Sequence, residues 1–178
     1  MSPVPGWMGR RDRSPIRTER GERLLATAES DGIHLGGTRD ALYIVEPLAG
    51  GAFELVDTTR IPWEEVEAAD WDLETSTLRV TEVGTWGEER PEHTFVIEEP
   101  GRLLELVRER VTASILLQRH VAVDGRRGVR VIARRAPRGD RPVVWLYEYD
   151  EGVDPADPEV QRAAEEALQA ARADVGLL

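Results

Sequence analysis

The chain has 178 residues, of which 40% are hydrophobic and 32% charged, with a formal net charge of -11 and no cysteine. That composition lies near the globular average and far from that of disordered chains, and the lack of thiols excludes a disulfide framework and thiolate metal or redox sites. No run approaches the roughly 20 apolar residues of a bilayer span, and no apolar stretch follows Arg10-Arg11, so a cytoplasmic protein without membrane insertion is expected.

All 23 basic residues are arginine, a usage that fits GC-rich codons and that also suits bidentate recognition of carboxylate or phosphate. The charge is segregated: residues 24 to 113 carry seven arginines against 20 acids, and residues 114 to 146 carry eight arginines against two acids. Such asymmetry marks either a partner surface or basic and acidic segments lying against each other in one fold, and the second reading is preferred.

Residues 1 to 21 combine prolines, glycines and arginines with no apolar period, which reads as a basic, flexible arm dispensable for folding. From Leu24 the pattern has period two, and Ser30-Asp31-Gly32 supplies a hairpin turn before Ile33 and Leu35 resume the strand. Gly36-Gly37 should break it, and Ala41 to Val45 forms a further β-rich run ending at Pro47. A short strand is expected at Phe53 to Val56, and Ile61-Pro62-Trp63 leads into another over Val66 to Glu74. There Ala69, Trp71 and Leu73 share the buried face and Asp70, Asp72 and Glu74 the wet one. Trp63 and Trp71 are expected in the core. Strands at Thr77 to Val83 and Thr94 to Ile97 flank a loop around Gly84 to Gly87.

Pro100 suits a helix start, and Leu103, Leu104, Leu106, Val107 and Val111 make an apolar stripe at helical spacing up to Ala113. Three β-like runs follow, Ile115 to Val123, Val129 to Arg134 and Val143 to Tyr149, joined by short turns that favour an antiparallel meander. Asp157 and Pro158 start a last helix that Gly176 ends, with Val160, Ala164, Leu168, Ala171 and Val175 on the face that should cover Trp145, Tyr147 and Tyr149 of the meander.

About seven antiparallel strands followed by an amphipathic helix, with Thr38-Arg39-Asp40-Ala41-Leu42-Tyr43 on an early strand and Ile61-Pro62-Trp63-Glu64-Glu65-Val66 entering a later one, resemble the bacterial pleckstrin-homology-like (PH-like) domains. The tail, with Arg110-Val111-Thr112-Ala113-Ser114 and the later runs Gly128 to Arg135 and Asp154 to Pro158, resembles uncharacterised proteins of high-GC bacteria that carry such a domain. The resemblance implies an α+β fold: an antiparallel β-sandwich or barrel capped by a helix over residues 22 to 113, then a three-stranded meander with a C-terminal helix. It implies no substrate. Members that bind phosphoinositides have basic residues beside the first hairpin, whereas Glu29 and Asp31 stand here and argue against that ligand.

Nucleophile elbows, phosphate-cradling glycine loops and dinucleotide fingerprints are lacking, so neither catalysis nor a cofactor is indicated. His34, His93 and His120 stand far apart without metal-ligand spacing, and the acids Glu64, Glu65, Glu67, Asp70, Asp72 and Glu74 lack the pattern of a calcium loop and read as a wet strand face. The candidate binding residues are Arg126, Arg127, Arg130, Arg134 and Arg135, within a wider set that includes Arg119, Arg138 and Arg141. Alternation places Arg130 and Arg134 on one face of an extended strand, beside a strand bearing Trp145, Tyr147 and Tyr149. Exposed together, such groups would hold single-stranded nucleic acid; paired with acids and covered by the last helix, they are structural. The expectation is therefore a non-catalytic binding or protein-protein interaction module, acting on a protein partner or by self-association, with a nucleic-acid-binding accessory protein as the alternative.

Overall fold

In a computed structural model, residues 14–47, 56–84 and 90–176 are described. Strands β1 (Ala26–Ser30), β2 (Ile33–Gly37), β3 (Ala41–Pro47) and β4 (Val56–Pro62) form an antiparallel sheet in that order. Asp31 and Gly32 both take positive φ (47° and 82°), the conformation that a two-residue type I′ hairpin demands and that aspartate and glycine tolerate best. The expected strand at Phe53 to Val56 falls mostly outside the described residues, as does most of the loop at Gly84 to Gly87.

Gly36 and Gly37 do not break β2 but complete it, pairing with Tyr43 and Leu42 of β3. A Cβ on Gly36 would stand 2.6 Å from the Ile16 side chain, and one on Gly37 2.5 Å from that of Leu106, so glycine lets two flanking elements press on opposite faces of one strand. Ile16 belongs to the stretch expected to be a free arm. It is instead 6% exposed and packs with Leu24 on Ala41, Tyr43 and Val45, the outer face of β3. The inner face, with Leu42 and Ile44, enters the main core, which explains why β3 is apolar without alternation.

Trp63 to Glu65 form a single 3-10 turn, after which β5 (Val66–Asp72), β6 (Thr77–Glu82) and β7 (Glu92–Val96) make a second antiparallel sheet. Trp63 is fully buried and Trp71 half-buried against the same core. The expected alternation fails at Leu73, which is 81% exposed, because β5 stops at Asp72: the Asp72 carboxylate accepts from the amides of Glu74 and Thr75 and turns the chain. Helix α1 (Leu103–Ser114) closes this core with Leu103 and Val107.

Without any linker, α1 passes into β8 (Ile115–Asp124), which with β9 (Arg127–Arg134) and β10 (Val144–Tyr149) forms the third sheet, in the order β10-β9-β8. Helix α2 (Pro158–Asp174) begins at Asp157, whose side chain accepts from the Glu159 amide at 2.8 Å, and ends before Gly176 at φ 72°. Its buried Val160, Ala164, Ala167 and Ala171 lie along one face. Ala167, Ala171 and the half-buried Leu168 pack on Val131 of β9 together with Leu117, Val121, Trp145 and Tyr147. The fold is thus α+β, with three antiparallel sheets and a C-terminal helix.

Candidate functional site

The five candidate arginines do not form one surface. Arg126, Arg127 and Arg135 are exposed, the first two at the β8–β9 turn and the third just beyond β9. Arg130 pairs with Glu148 of the neighbouring strand at 2.7 Å, and Arg119 with Asp174 of α2. Arg134 is 3% exposed, which overturns the expectation that it projects in register with Arg130.

Arg134 is a pin. Its Nη1 donates to the Val111 carbonyl at 3.1 Å and to Ser114 Oγ at 2.7 Å, and its Nη2 donates to the Glu67 carbonyl at 2.7 Å. Val111 lies in the last turn of α1, where carbonyls lack a backbone donor, its own also accepts from Ser114 Oγ at 2.7 Å, and a cation opposes the negative end of the helix dipole. The register of β5 against β6 shifts between Val66 and Ala68, so Glu67 stands at a bulge, where a ladder leaves backbone groups unpaired. One guanidinium therefore satisfies a helix end and a bulge together, although burial lowers its pKa below the ordinary arginine value. The aromatic face is likewise covered: Trp145 and Tyr147 pack beneath α2, Arg172 lies over the Trp145 ring, and the Tyr149 ring stacks on Tyr147.

Two concave regions among the described residues bear on function. The larger is a groove of about 870 Å³ between α1 and β5–β6, with Trp71, Leu78, Leu104 and Val107 in its lining and Asp70, Glu105 and Glu109 against Arg108 as its charged members. Trp71 and Leu104 are half-buried, so their apolar surface faces the groove and water, and Leu73 stands exposed two residues beyond Trp71.

The second is a charged cleft of about 210 Å³ where the segment before β1, the β2–β3 turn, the 3-10 turn and the β9–β10 connection meet. The stretches Thr38 to Tyr43 and Ile61 to Val66, far apart in sequence, build its wall together. The Trp63 indole N–H donates to the Thr38 carbonyl at 3.1 Å, and the Trp63 amide to the Asp40 carbonyl at 3.2 Å. Thr38 Oγ1 donates to Glu22 at 2.6 Å and accepts from the Asp40 and Ala41 amides, which fixes the turn. Arg60 grips Glu22 beside the Tyr43 hydroxyl. Burial pushes the Glu22 carboxyl up, but the Thr38 and Arg60 hydrogen bonds outweigh it and leave the pKa below the ordinary value. Across the cleft, Arg138 meets both oxygens of Asp40, at 2.6 and 3.1 Å, and holds that carboxyl below the usual range.

Glu64, read from the sequence as a wet strand acid, is 2% exposed because it lies in the 3-10 turn ahead of β5. Burial raises its pKa. Among the described residues its Oε2 has no hydrogen-bond partner, and Arg141 Nη1 stands 3.6 Å from Oε1. Glu67, from the same acidic run, pairs with Arg90 at 2.6 Å. The histidines sit apart, His93 on Glu82 at 2.7 Å, His120 on Asp150 at 2.8 Å, and His34 at 4.0 Å from Glu29. The one sequence signal for the cleft was Pro62-Trp63, a proline and a large aromatic that stop strand alternation just before Glu64. Among the described residues, no helix is long and apolar enough to cross a membrane. Neither the protein-family models nor the curated proteins gave a match to the sequence.

Proposed function

We propose that the chain is a non-catalytic interaction module, in which residues 22 to 113 form a PH-like domain and the groove along α1 receives a segment of a protein partner. Support for the domain reading is the order of four and then three antiparallel strands followed by an amphipathic helix. The observation that carries the function is the groove, a concave surface with an apolar floor of Trp71, Leu78, Leu104 and Val107 that no element of the described fold covers. Helix-in-groove recognition needs such a floor for aliphatic anchors, with charged residues at the rim to choose the partner. Three of the four charged lining residues are acidic, so the occupant is a basic amphipathic segment.

The test uses synthetic helical peptides with leucine anchors and a lysine- and arginine-rich outer face, and the same peptides with glutamate in place of the basic residues. The basic set should perturb the Trp71 indole resonance and lose affinity to a Leu104→Lys variant. Equal binding of acidic and basic peptides, or binding unchanged by Leu104→Lys, would remove the reading.

Nucleic acid binding through the meander is the weaker reading, because Arg126, Arg127 and Arg135 are exposed but its main support, an outward Arg130 and Arg134 beside free aromatics, is lacking. Arg134 is buried, Arg130 and Arg119 are paired with carboxylates, and the aromatic face is covered by α2.

A further inference from the structure

The charged cleft shares no lining residue with the α1 groove. Of its buried carboxylates, Glu22 and Asp40 are already satisfied and Glu64 is not. Glu22 is held by Thr38, Tyr43 and Arg60, and Asp40 is held by Arg138 and Arg39. Those contacts also occupy the guanidinium groups of Arg60 and Arg138.

Glu64 is different. Among the described residues its side chain is only 3% exposed, its buried Oε2 has no hydrogen-bond partner, and the cation paired with it, Arg141, stands at 3.6 Å from the other oxygen, beyond hydrogen-bonding distance. A buried carboxylate oxygen without a donor is expensive, and a charged donor is its strongest remedy. A volume of about 210 Å³ admits a head group of several heavy atoms, since water takes roughly 30 Å³ per molecule. Five acids and four arginines line the cleft, so the choice of a cation rests on the donor that Glu64 Oε2 lacks rather than on net charge.

We propose that this cleft binds a protonated nitrogen head group, a guanidinium or a primary ammonium, that donates to Glu64 Oε2. The satisfied pairs Glu22–Arg60 and Asp40–Arg138 hold the walls, which pre-organises the acceptor. Arg141 is 45% exposed by its side chain and makes only the loose contact with Glu64, so it gives way to the guest. The head group belongs either to a free small amine or to an arginine or lysine side chain of a partner.

The experiment follows the Trp63 indole resonance of the whole protein, one residue from Glu64, during titration with four probes. These are methylguanidinium, agmatine, N-acetyl-arginine amide, and tetramethylammonium, which carries charge but no N–H. The three donors should shift the resonance saturably, and tetramethylammonium should not. Agmatine binding more tightly than the capped arginine identifies a free small ligand, and the reverse order identifies a partner's side chain. Glu64→Gln, with folding checked by thermal unfolding, should weaken donor binding by about tenfold or more, as loss of a charge-assisted hydrogen bond implies. Arg141→Ala, which removes the competing cation, should preserve or tighten binding and keeps the test open if Glu64→Gln fails to fold. The proposal is overturned if no donor binds, if tetramethylammonium binds as well as the donors, if Glu64→Gln binds as wild type does, or if Arg141→Ala abolishes binding.

Discussion

In the four-stranded sheet, β3 is apolar on both faces, with Leu42 and Ile44 in the main core and Ala41, Tyr43 and Val45 beneath Ile16 and Leu24. In the meander, β9 is just as buried, but its two faces differ: Val131 packs under α2, while Arg134 reaches back to α1 and β5. Burial is therefore not one condition. The first sheet excludes water with hydrocarbon, and the third does so partly by placing a guanidinium on backbone carbonyls at a helix end and a bulge. The basic segment 114 to 146 and the acidic segments meet by the same means, through Arg138 on Asp40, Arg130 on Glu148 and Arg119 on Asp174.

The largest expected effect sharpens the apolar side of the contrast. Trp63→Ala empties a fully buried site and deprives the Thr38 carbonyl of its donor, so it should cost about 3 to 5 kcal/mol in denaturant unfolding. Trp71→Ala, at the groove, should cost clearly less. Equal losses would mean that the groove is closed in solution.

The polar side is tested next. Arg134→Ala leaves the Val111 and Glu67 carbonyls without this donor, for a cost of about 1 to 3 kcal/mol, and Arg134→Glu should do worse by placing an anion at the helix C-terminus. Ala164→Glu puts a charge at a buried position of α2 and should also destabilise. Arg126→Ala, at an exposed turn, serves as the neutral control. An Arg134 variant as stable as that control would break the comparison.

Ile16 decides whether the segment before β1 belongs to the first sheet. Ile16→Ala should cost about 2 kcal/mol, at the low end for a buried aliphatic side chain because only one cluster surrounds it. An unchanged unfolding midpoint would restore the free-arm reading for residues 14 to 21.

Most elements were legible in the sequence because their signals are local. Asp157-Pro158 with its alanine face gave α2, Asp31-Gly32 gave the first hairpin, and the leucine stripe gave α1. Two of the misreadings share one cause, a distant partner that alters the meaning of a residue. Gly36-Gly37 reads as a break until Ile16 and Leu106 are brought against it, and Arg134 reads as surface until the end of α1 and the β5 bulge arrive. Glu64 reads as one acid among six until the chain stops being a strand at Pro62. The groove was half legible: its helix stripe and Trp71 were recognised as apolar, but alternation could not show that they leave a channel between them.

The smallest effect lies in the pH dependence of stability, where two cleft carboxylates act with opposite signs. Asp40 has its pKa depressed in the fold, chiefly by the Arg138 hydrogen bonds, so it contributes stability above the ordinary aspartate pKa of 3.8 that is lost as pH falls through the folded value. Glu64 has its pKa raised by burial, so its ionisation opposes folding at neutral pH, and that penalty is relieved as pH falls through the raised value towards 4.5. Stability of the wild type, measured by urea unfolding at a series of pH values, should therefore gain a contribution from Glu64 on mild acidification and lose one from Asp40 at lower pH. Glu64→Gln should remove the first contribution and leave the second. Arg138→Ala should do the reverse, shrinking the acid loss while sparing the mild-acid gain, because Arg138 touches Asp40 whereas Arg141 is the cation nearest Glu64. If both variants change the same limb of the curve, the two carboxylates titrate as a coupled pair, and the separation of the cleft into satisfied and unsatisfied groups fails.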